Sequence, residues 1–424
     1  MELPTLDLSV ERPVAGGLML ARHEGRVVLV GGAIPGERVR ARVDRERRDV
    51  IFATVVDVLD PDPDRRSVEG DPTCGGQAYR HIAYERQRQL KTEVIGDALR
   101  RIANFPGLDS IPVAPSPERG YRMRARFHVG PSGLGFLREG THTVCDAAQT
   151  EQLLDETHEV VENVGRRLVR SRDRSVAHVD LAESIDADQR VLHFFLRQDR
   201  SPRTVVGWAE DGGVTGVTHS RRGRTKVHVA FGVPTVTDRV SVLTQRTGSE
   251  GGLRRHASSF FQGNRYLLPA LVTAVCRRVS AGPVVDLYAG VGLFAVALAY
   301  QGLDGVTAVE GDSAAVADLK SNTTGLQPRV AVVGTSVEKY LALRSDAVEG
   351  TVIVDPPRTG LSKTVIEQLS GRRVRHLVYV ACDVATFARD LRRLADAGYS
   401  VEGIEAFDMF PNTPHVELLA TLRS

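Results

Sequence analysis

From Val284 to the end of the chain, short apolar runs alternate with segments of helical period. Val284–Leu287 precedes a helix from Leu293, and Val306–Val309 precedes one from Ala314. Val330–Val333, Thr351–Val354 and Leu377–Ala381 follow, the last with a helix over Ala385–Leu394. Alternating βα units predict a parallel, doubly wound sheet. Val401–Phe407 and Val416–Thr421 have no long helix between them and predict a closing antiparallel hairpin. The amino-terminal part reads differently. Leu18–Ala21, Arg26–Val30, Glu37–Val43 and Ile51–Val58 are short alternating runs broken by glycine, the pattern of a small β-barrel. Between these regions, Ala83–Ala103 has helical period, Tyr121–Phe136 alternates as a strand pair around Gly130-Pro131-Ser132-Gly133, and Val176–Val236 is β-rich.

The break Asp60-Pro61-Asp62-Pro63-Asp64 marks a boundary after the barrel, and 424 residues suit two or three domains. We expect units at 1–60, 61–255 and 256–424, in an α/β protein with an added barrel. No apolar run is long enough to span a bilayer, and Met1–Asp7 lacks the features of a secretory signal, so a cytoplasmic monomer is the default expectation. Cysteines 74, 145, 276 and 382 form no Cys-x-x-Cys pair and suggest neither a disulfide framework nor a zinc site. A net charge of +2 argues against an overall positive coat, but arginine is clustered. Arg38, Arg40 and Arg42 share a strand face, as do Arg122, Arg124 and Arg126. Further groups are Arg166, Arg167, Arg170, Arg172 and Arg174, then Arg221, Arg222, Arg224 and Lys226. Each is a candidate for phosphate contact, weighed against a plain solvated face.

Candidate chemistry collects at strand ends. Val378-Tyr379-Val380-Ala381-Cys382-Asp383 delivers one thiol to the carboxyl end of a strand, where a helix begins and its dipole favours the thiolate. Asp286-Leu287-Tyr288-Ala289-Gly290-Val291-Gly292 is a glycine turn after the first strand, with Glu310 about 20 positions on at the end of the second. Lacking a full Gly-x-Gly-x-x-Gly, this turn suits a nucleoside without phosphates, such as S-adenosylmethionine, better than a dinucleotide. Asp355-Pro356-Pro357-Arg358 holds a carboxylate at the next strand end, and Glu417 opens the last strand.

Together with Pro35-Gly36-Glu37-Arg38-Val39, Phe260-Phe261-Gln262-Gly263-Asn264, Arg389-Asp390-Leu391 and Asp408–Glu417, these residues resemble the S-adenosylmethionine-dependent RNA uracil-C5 methyltransferases over nearly the whole chain. The resemblance implies a TRAM-type barrel at 1–60 that binds RNA, a central α+β domain at 61–255 that recognises the substrate, and a class I methyltransferase domain at 256–424. It implies 5-methyluridine formation in transfer or ribosomal RNA, with Cys382 as nucleophile, Glu417 as proton acceptor, and Gln262, Tyr288, Gly290, Glu310 and Asp355 at the cofactor, Asp355 also near the uracil. Cytosine-C5 methylation is the neighbouring alternative, but Arg358 stands where those enzymes carry a second cysteine. A non-catalytic RNA-binding protein on the same fold is the other, and the joint presence of Cys382, Asp355 and Glu417 argues against it. Many relatives hold an iron–sulfur cluster on four cysteines; Val68 and Gln77 replace two of them and Cys145 does not align with the fourth, so no cluster is expected and no metal is indicated.

Overall fold

The computed structural model describes residues 4–108, 110–210, 213–222, 226–247, 250–280, 282–343, 350–371 and 374–424, so Arg224 of the last basic cluster lies outside the described residues. The first five strands, β1 (Thr5–Pro13), β2 (Met19–His23), β3 (Arg26–Gly31), β4 (Arg38–Glu46) and β5 (Val50–Asp60), close into a barrel. Along β4, Val39, Ala41 and Val43 are buried while Arg38, Arg40 and Arg42 face out, as the period of two dictates. Two of those guanidiniums are already paired: Arg40 forks onto Asp7 at 2.8 and 3.0 Å, and Arg42 meets Asp44 at 3.3 Å.

Helix α1 (Tyr84–Ala98) and the two-residue strand β6 (Val113–Ala114) come next in the chain but lie against the last sheet of the fold. Val94, Ile95 and Ala98 share a core with Leu377, Tyr379 and Leu391, and β6 pairs in parallel with the penultimate strand.

A seven-stranded sheet follows, built from β7 (Arg124–Val129), β8 (Leu134–Leu137), β9 (Val144–Asp146), β10 (Val176–Glu183), β11 (Arg190–Leu196), β12 (Gly216–Arg221) and β13 (His228–Gly232). Helices α2 (Asp155–Ser171) and α3 (Pro202–Ala209) cover one face, packing Val161, Leu168, Val205 and Trp208 on Phe127, Val179, Leu192 and Phe194. The other face is covered only in part, where Val236 and Ala257 of the next segment meet Ala182 and Val191. That segment is a ribbon of β14 (Thr235–Arg239) and β15 (Gly252–His256) with helix α4 (Val240–Thr244) between them.

One expectation is corrected here. Cys74 and Cys145 form a disulfide with their Cα atoms 5.8 Å apart. The two are 71 positions apart, so spacing held no sign of the pair. They meet because Cys74 bridges to Arg138 just after β8 while Cys145, in β9, pairs with Phe136 in β8.

The remaining elements are α5 (Leu268–Arg278), β16 (Val284–Leu287), α6 (Leu293–Tyr300), β17 (Val306–Glu310), α7 (Ser313–Asn322), β18 (Val330–Gly334), α8 (Val337–Leu343), β19 (Thr351–Val354), α9 (Lys363–Gly371), β20 (His376–Ala381), α10 (Val384–Asp396), β21 (Ser400–Phe407) and β22 (Glu417–Arg423). Their sheet runs β18-β17-β16-β19-β20-β22-β21-β6. Strands β16 to β20 are parallel, and β22 is antiparallel to both neighbours, which delivers the predicted hairpin. Both faces are apolar: Leu377 and Tyr379 enter one core, Val378 and Val380 the other. The order reverses between β16 and β19, so a ligand crevice opens at the carboxyl ends of these strands. Among the described residues no helix is long and apolar enough to cross a membrane.

Candidate functional site

Strand register assembles the site. In the parallel ladder Leu287 pairs with Val309 and with Val354, so the next residues, Tyr288, Glu310 and Asp355, form a row along the carboxyl edge. In the antiparallel ladder Ala381 pairs with Leu418, so Cys382, leaving β20, stands across from Glu417, entering β22. An antiparallel last strand is what brings a residue at a strand start to the edge where the other strands end. Asp383 caps α10 by accepting from the Thr386 N–H at 2.8 Å, which fixes the turn directly after the thiol.

Further groups act on the thiol besides the helix dipole. Cys382 sits at a helix N-terminus, yet burial, Glu417 and Asp355 push its pKa up to about 11. Desolvation and the two carboxyls act against the helix dipole. The Arg358 guanidinium, through its charge and a hydrogen bond to the sulfur, acts the other way. Arg358 is thus a site residue that the sequence reading used only as a mark against a second cysteine. Its signal was its place directly after Asp355-Pro356-Pro357.

Glu417 is 1% exposed, with the Gln262 side chain beside its carboxyl. Burial and the neighbouring Asp355 raise its pKa well above the ordinary value, against the pull of Arg358 and Gln262. Burial raises Asp355 as well, and Gln262 opposes it by hydrogen bonding. Gln262 therefore stands between the two carboxyls. It arrives there because Asn264 anchors its segment, accepting from the Tyr266 and Leu267 N–H groups and donating to Ser116 Oγ and to the Met409 carbonyl.

The glycine turn and Glu310 form one unit. Glu310 accepts from the Gly290 N–H at 2.8 Å and from the Gly311 and Asp312 N–H groups at 2.7 and 2.6 Å. Gly290 has φ +56°, and among the described residues nothing lies within 4 Å of where a Cβ would stand. A ligand can lie directly on this backbone. Below the turn, Asp286 is fully buried; one oxygen accepts from the Ala295 N–H and the other has no partner among the described residues, and burial pushes its pKa up to about 8. Tyr288 is half-buried beside the turn.

Two further structures hold the site. Asp390, fully buried, accepts from Tyr379 Oη at 2.9 Å and from the Leu361 N–H at 2.8 Å, tying the loop that carries Arg358 to β20 and α10. A Cβ on Gly360 would stand 2.2 Å from the Asp390 carboxylate, so only glycine permits this approach. On the other side Lys91 of α1 pairs with Asp408 at 2.5 Å and donates to the Phe410 carbonyl, while Gln87 and Asn412 exchange hydrogen bonds at 2.9 and 3.0 Å. The loop that leads into Glu417 is therefore clamped by α1.

A profile of the tRNA (Uracil-5-)-methyltransferase family matches residues 338–423, and the TRAM domain matches residues 2–56. Over its length the chain is 33% identical to an uncharacterised RNA methyltransferase of Streptomyces coelicolor, covering 97% of this chain and 91% of that one. It is 31% identical to the 23S rRNA (uracil(1939)-C(5))-methyltransferase RlmD of Halomonas elongata, covering 94% and 85%. The chain belongs to the RNA uracil-C5 methyltransferase family. Among solved structures, the tRNA (uracil-54, C5)-methyltransferase of Pyrococcus abyssi, in complex with S-adenosyl-L-homocysteine, matches this methyltransferase with a TM-score of 0.76 over 98% of this chain and 100% of that one, at 24% identity, and shares its fold.

Proposed function

We propose that this methyltransferase makes 5-methyluridine in transfer or ribosomal RNA, taking the methyl group from S-adenosylmethionine. Two of the proteins it is similar to are named for the same atom, uracil C5, in 23S rRNA and in tRNA respectively. The observation that carries the reading is the thiol of Cys382 facing the buried carboxyl of Glu417 at the strand-end crevice.

C5 of uracil is too weak a nucleophile to take a methyl group unaided. Addition of the Cys382 thiolate to C6 moves electron density to C5 and O4 and makes C5 nucleophilic. Arg358 favours the ionised sulfur at that moment. When bound, S-adenosylmethionine supplies an electrophilic methyl group; the cradle at Gly290, with Gln262, Tyr288, Glu310 and Asp355 around it, fits such a cofactor. Once C5 carries the methyl group, Glu417 removes the C5 proton, the C5–C6 double bond re-forms and the sulfur leaves. A carboxylate made more basic by burial suits that task. C6 of a stacked uridine is out of reach of a thiol, so the target must be turned out of its stack. In this reading residues 1–60 and 61–255, apart from α1 and β6 that join the last sheet, bind and select the RNA, and residues 256–424 carry the chemistry.

Labelled S-adenosylmethionine incubated with unmodified transfer and ribosomal RNA, followed by mass spectrometry of the nucleosides, tests the reading. The expected product is 5-methyluridine, lost in Cys382→Ala while RNA binding persists. Label in 5-methylcytidine would overturn the choice of base; no label in either RNA would favour a protein that only binds.

A further inference from the structure

The face of the central sheet turned away from α2 and α3 carries a row of rings. Register sets them side by side: Phe127 pairs with Val179, so His128 stands across from His178, and His178 pairs with Phe195. The His178 and Phe195 rings stack at 4.6 Å with 13° between their planes, and His128 lies 6.3 Å from His178. One rung along, Arg126 forks onto Asp180 at 2.7 and 2.8 Å, and both nitrogens of His193 are held by Thr218 and Ser220. His128, His178 and Phe195 are partly exposed, because the β14–β15 ribbon stops at Ala182 and Val191. Burial holds both outer imidazoles below their ordinary pKa, so they present neutral rings.

This row is continuous with the catalytic crevice. His128 lines a cavity of about 390 Å³ together with Arg122, Arg126, Arg358, Phe410 and His415. Arg358 is the residue that bonds the Cys382 sulfur. On its other side His128 lines a second cavity, of about 500 Å³, with Arg174 and Arg197, both exposed. Arg197 reaches back to the carbonyls of Arg174 and Val176, fixing the rim of that cavity.

Resting on the RNA methyltransferase reading above, we infer that this open sheet face binds a single-stranded stretch of the substrate RNA next to the target uridine. Its unpaired bases pack on the His128, His178 and Phe195 row, and its phosphates lie along Arg174 and Arg197. Rings set among guanidiniums match the alternation of base and phosphate, and a duplex keeps its base faces buried in its own stack. The path from Arg358 to Arg174 extends the strand whose flipped nucleotide meets Cys382.

The test uses the full chain and a fluorescein-labelled, uridine-containing single-stranded oligoribonucleotide, compared with the same strand annealed to its complement. Fluorescence anisotropy should show the single strand bound about tenfold more tightly than the duplex, with His178→Ala and Phe195→Ala each weakening it about tenfold. Arg174→Glu alters an exposed side chain, so it stays informative even if thermal melts show Phe195→Ala to be unfolded. It should weaken binding and lower the salt slope by about one. Equal affinity for strand and duplex, displacement by polyglutamate as readily as by RNA, or unchanged binding in His178→Ala and Arg174→Glu would overturn the inference. Methyl transfer read in parallel separates the two claims. Normal transfer with an unchanged KM for full-length RNA in His178→Ala and Arg174→Glu removes the surface and leaves the reaction. Binding that depends on the row, without methyl transfer by the wild-type protein to any RNA, removes the reaction and leaves the surface.

Discussion

Cys382 is held between opposed influences: Glu417, Asp355 and burial favour the thiol, and Arg358 favours the thiolate. With the thiol near pH 11, kcat/KM should climb steadily from pH 7 upward, since only the ionised sulfur attacks. Arg358→Gln should shift that dependence to higher pH and lower kcat/KM at neutral pH by about tenfold or more. A profile flat between neutral and alkaline pH would show instead that the helix dipole dominates. Glu417→Gln should lower turnover about 100-fold or more. It leaves addition to C6 possible but blocks proton loss, so a covalent RNA–protein adduct should survive denaturing electrophoresis. The carboxyls also predict stability. Asp286 has a folded pKa of about 8 against an ordinary 3.8, so its stabilising contribution is complete below pH 3.8 and is lost as pH rises through 8. Asp286→Asn should therefore gain on the wild type, by about 1 kcal/mol or more, between mildly acid and mildly alkaline thermal melts.

At the scale of elements, much of the site was legible because strand ends can be read from sequence. Apolar runs place Leu287, Val309, Val354 and Ala381 at the last buried position of their strands, and the next residue of each is then a site residue. Glu417 needed more, since a glutamate at a strand start reaches the crevice only if that strand runs antiparallel between its neighbours. Arg358 was hidden for another reason: its effect depends on a fold of the loop that Asp390 sets from 32 positions away. The disulfide was hidden because strand pairing, which cysteine spacing does not encode, brings Cys74 to Cys145. Closing a loop of 71 residues, it should contribute about 2–4 kcal/mol, and Cys145→Ser should lower the unfolding free energy by that amount in denaturant titration. The clamp on the Glu417 loop offers a sharper case. Lys91→Ala would leave Asp408 buried without its partner and should cost about 3–5 kcal/mol, visible as a fall in Tm and, in whatever remains folded, a fall in kcat with little change in KM.

For the whole molecule, the broad pattern of barrel, central sheet and doubly wound sheet followed from hydrophobic periodicity, while the interleaving of the chain did not. Helix α1 and β6 look from sequence like the opening of the middle region, because nothing local tells a two-residue strand which sheet it will join. The arginine clusters were visible as clusters, but their charge is spent unevenly. Arg40 and Arg126 are forked onto aspartates, whereas Arg174 stands exposed.

The strand β6 has a consequence for how the protein is made. It and α1 emerge from the ribosome long before β21, the strand that β6 must join, has been synthesised. Until β20 and α10 have also been made, the apolar side of α1, with Val94, Ile95 and Ala98, lacks most of the core it has in the finished fold and must be tolerated in water or held by a chaperone. The barrel can close early, but the catalytic crevice is completed last, when the carboxyl-terminal strands meet a segment made in the first third of translation. A nascent chain stalled before β20 would thus have a finished barrel, an unfinished active site and one uncovered helix, whereas a chain stalled between α10 and β21 already holds most of the surface that covers it.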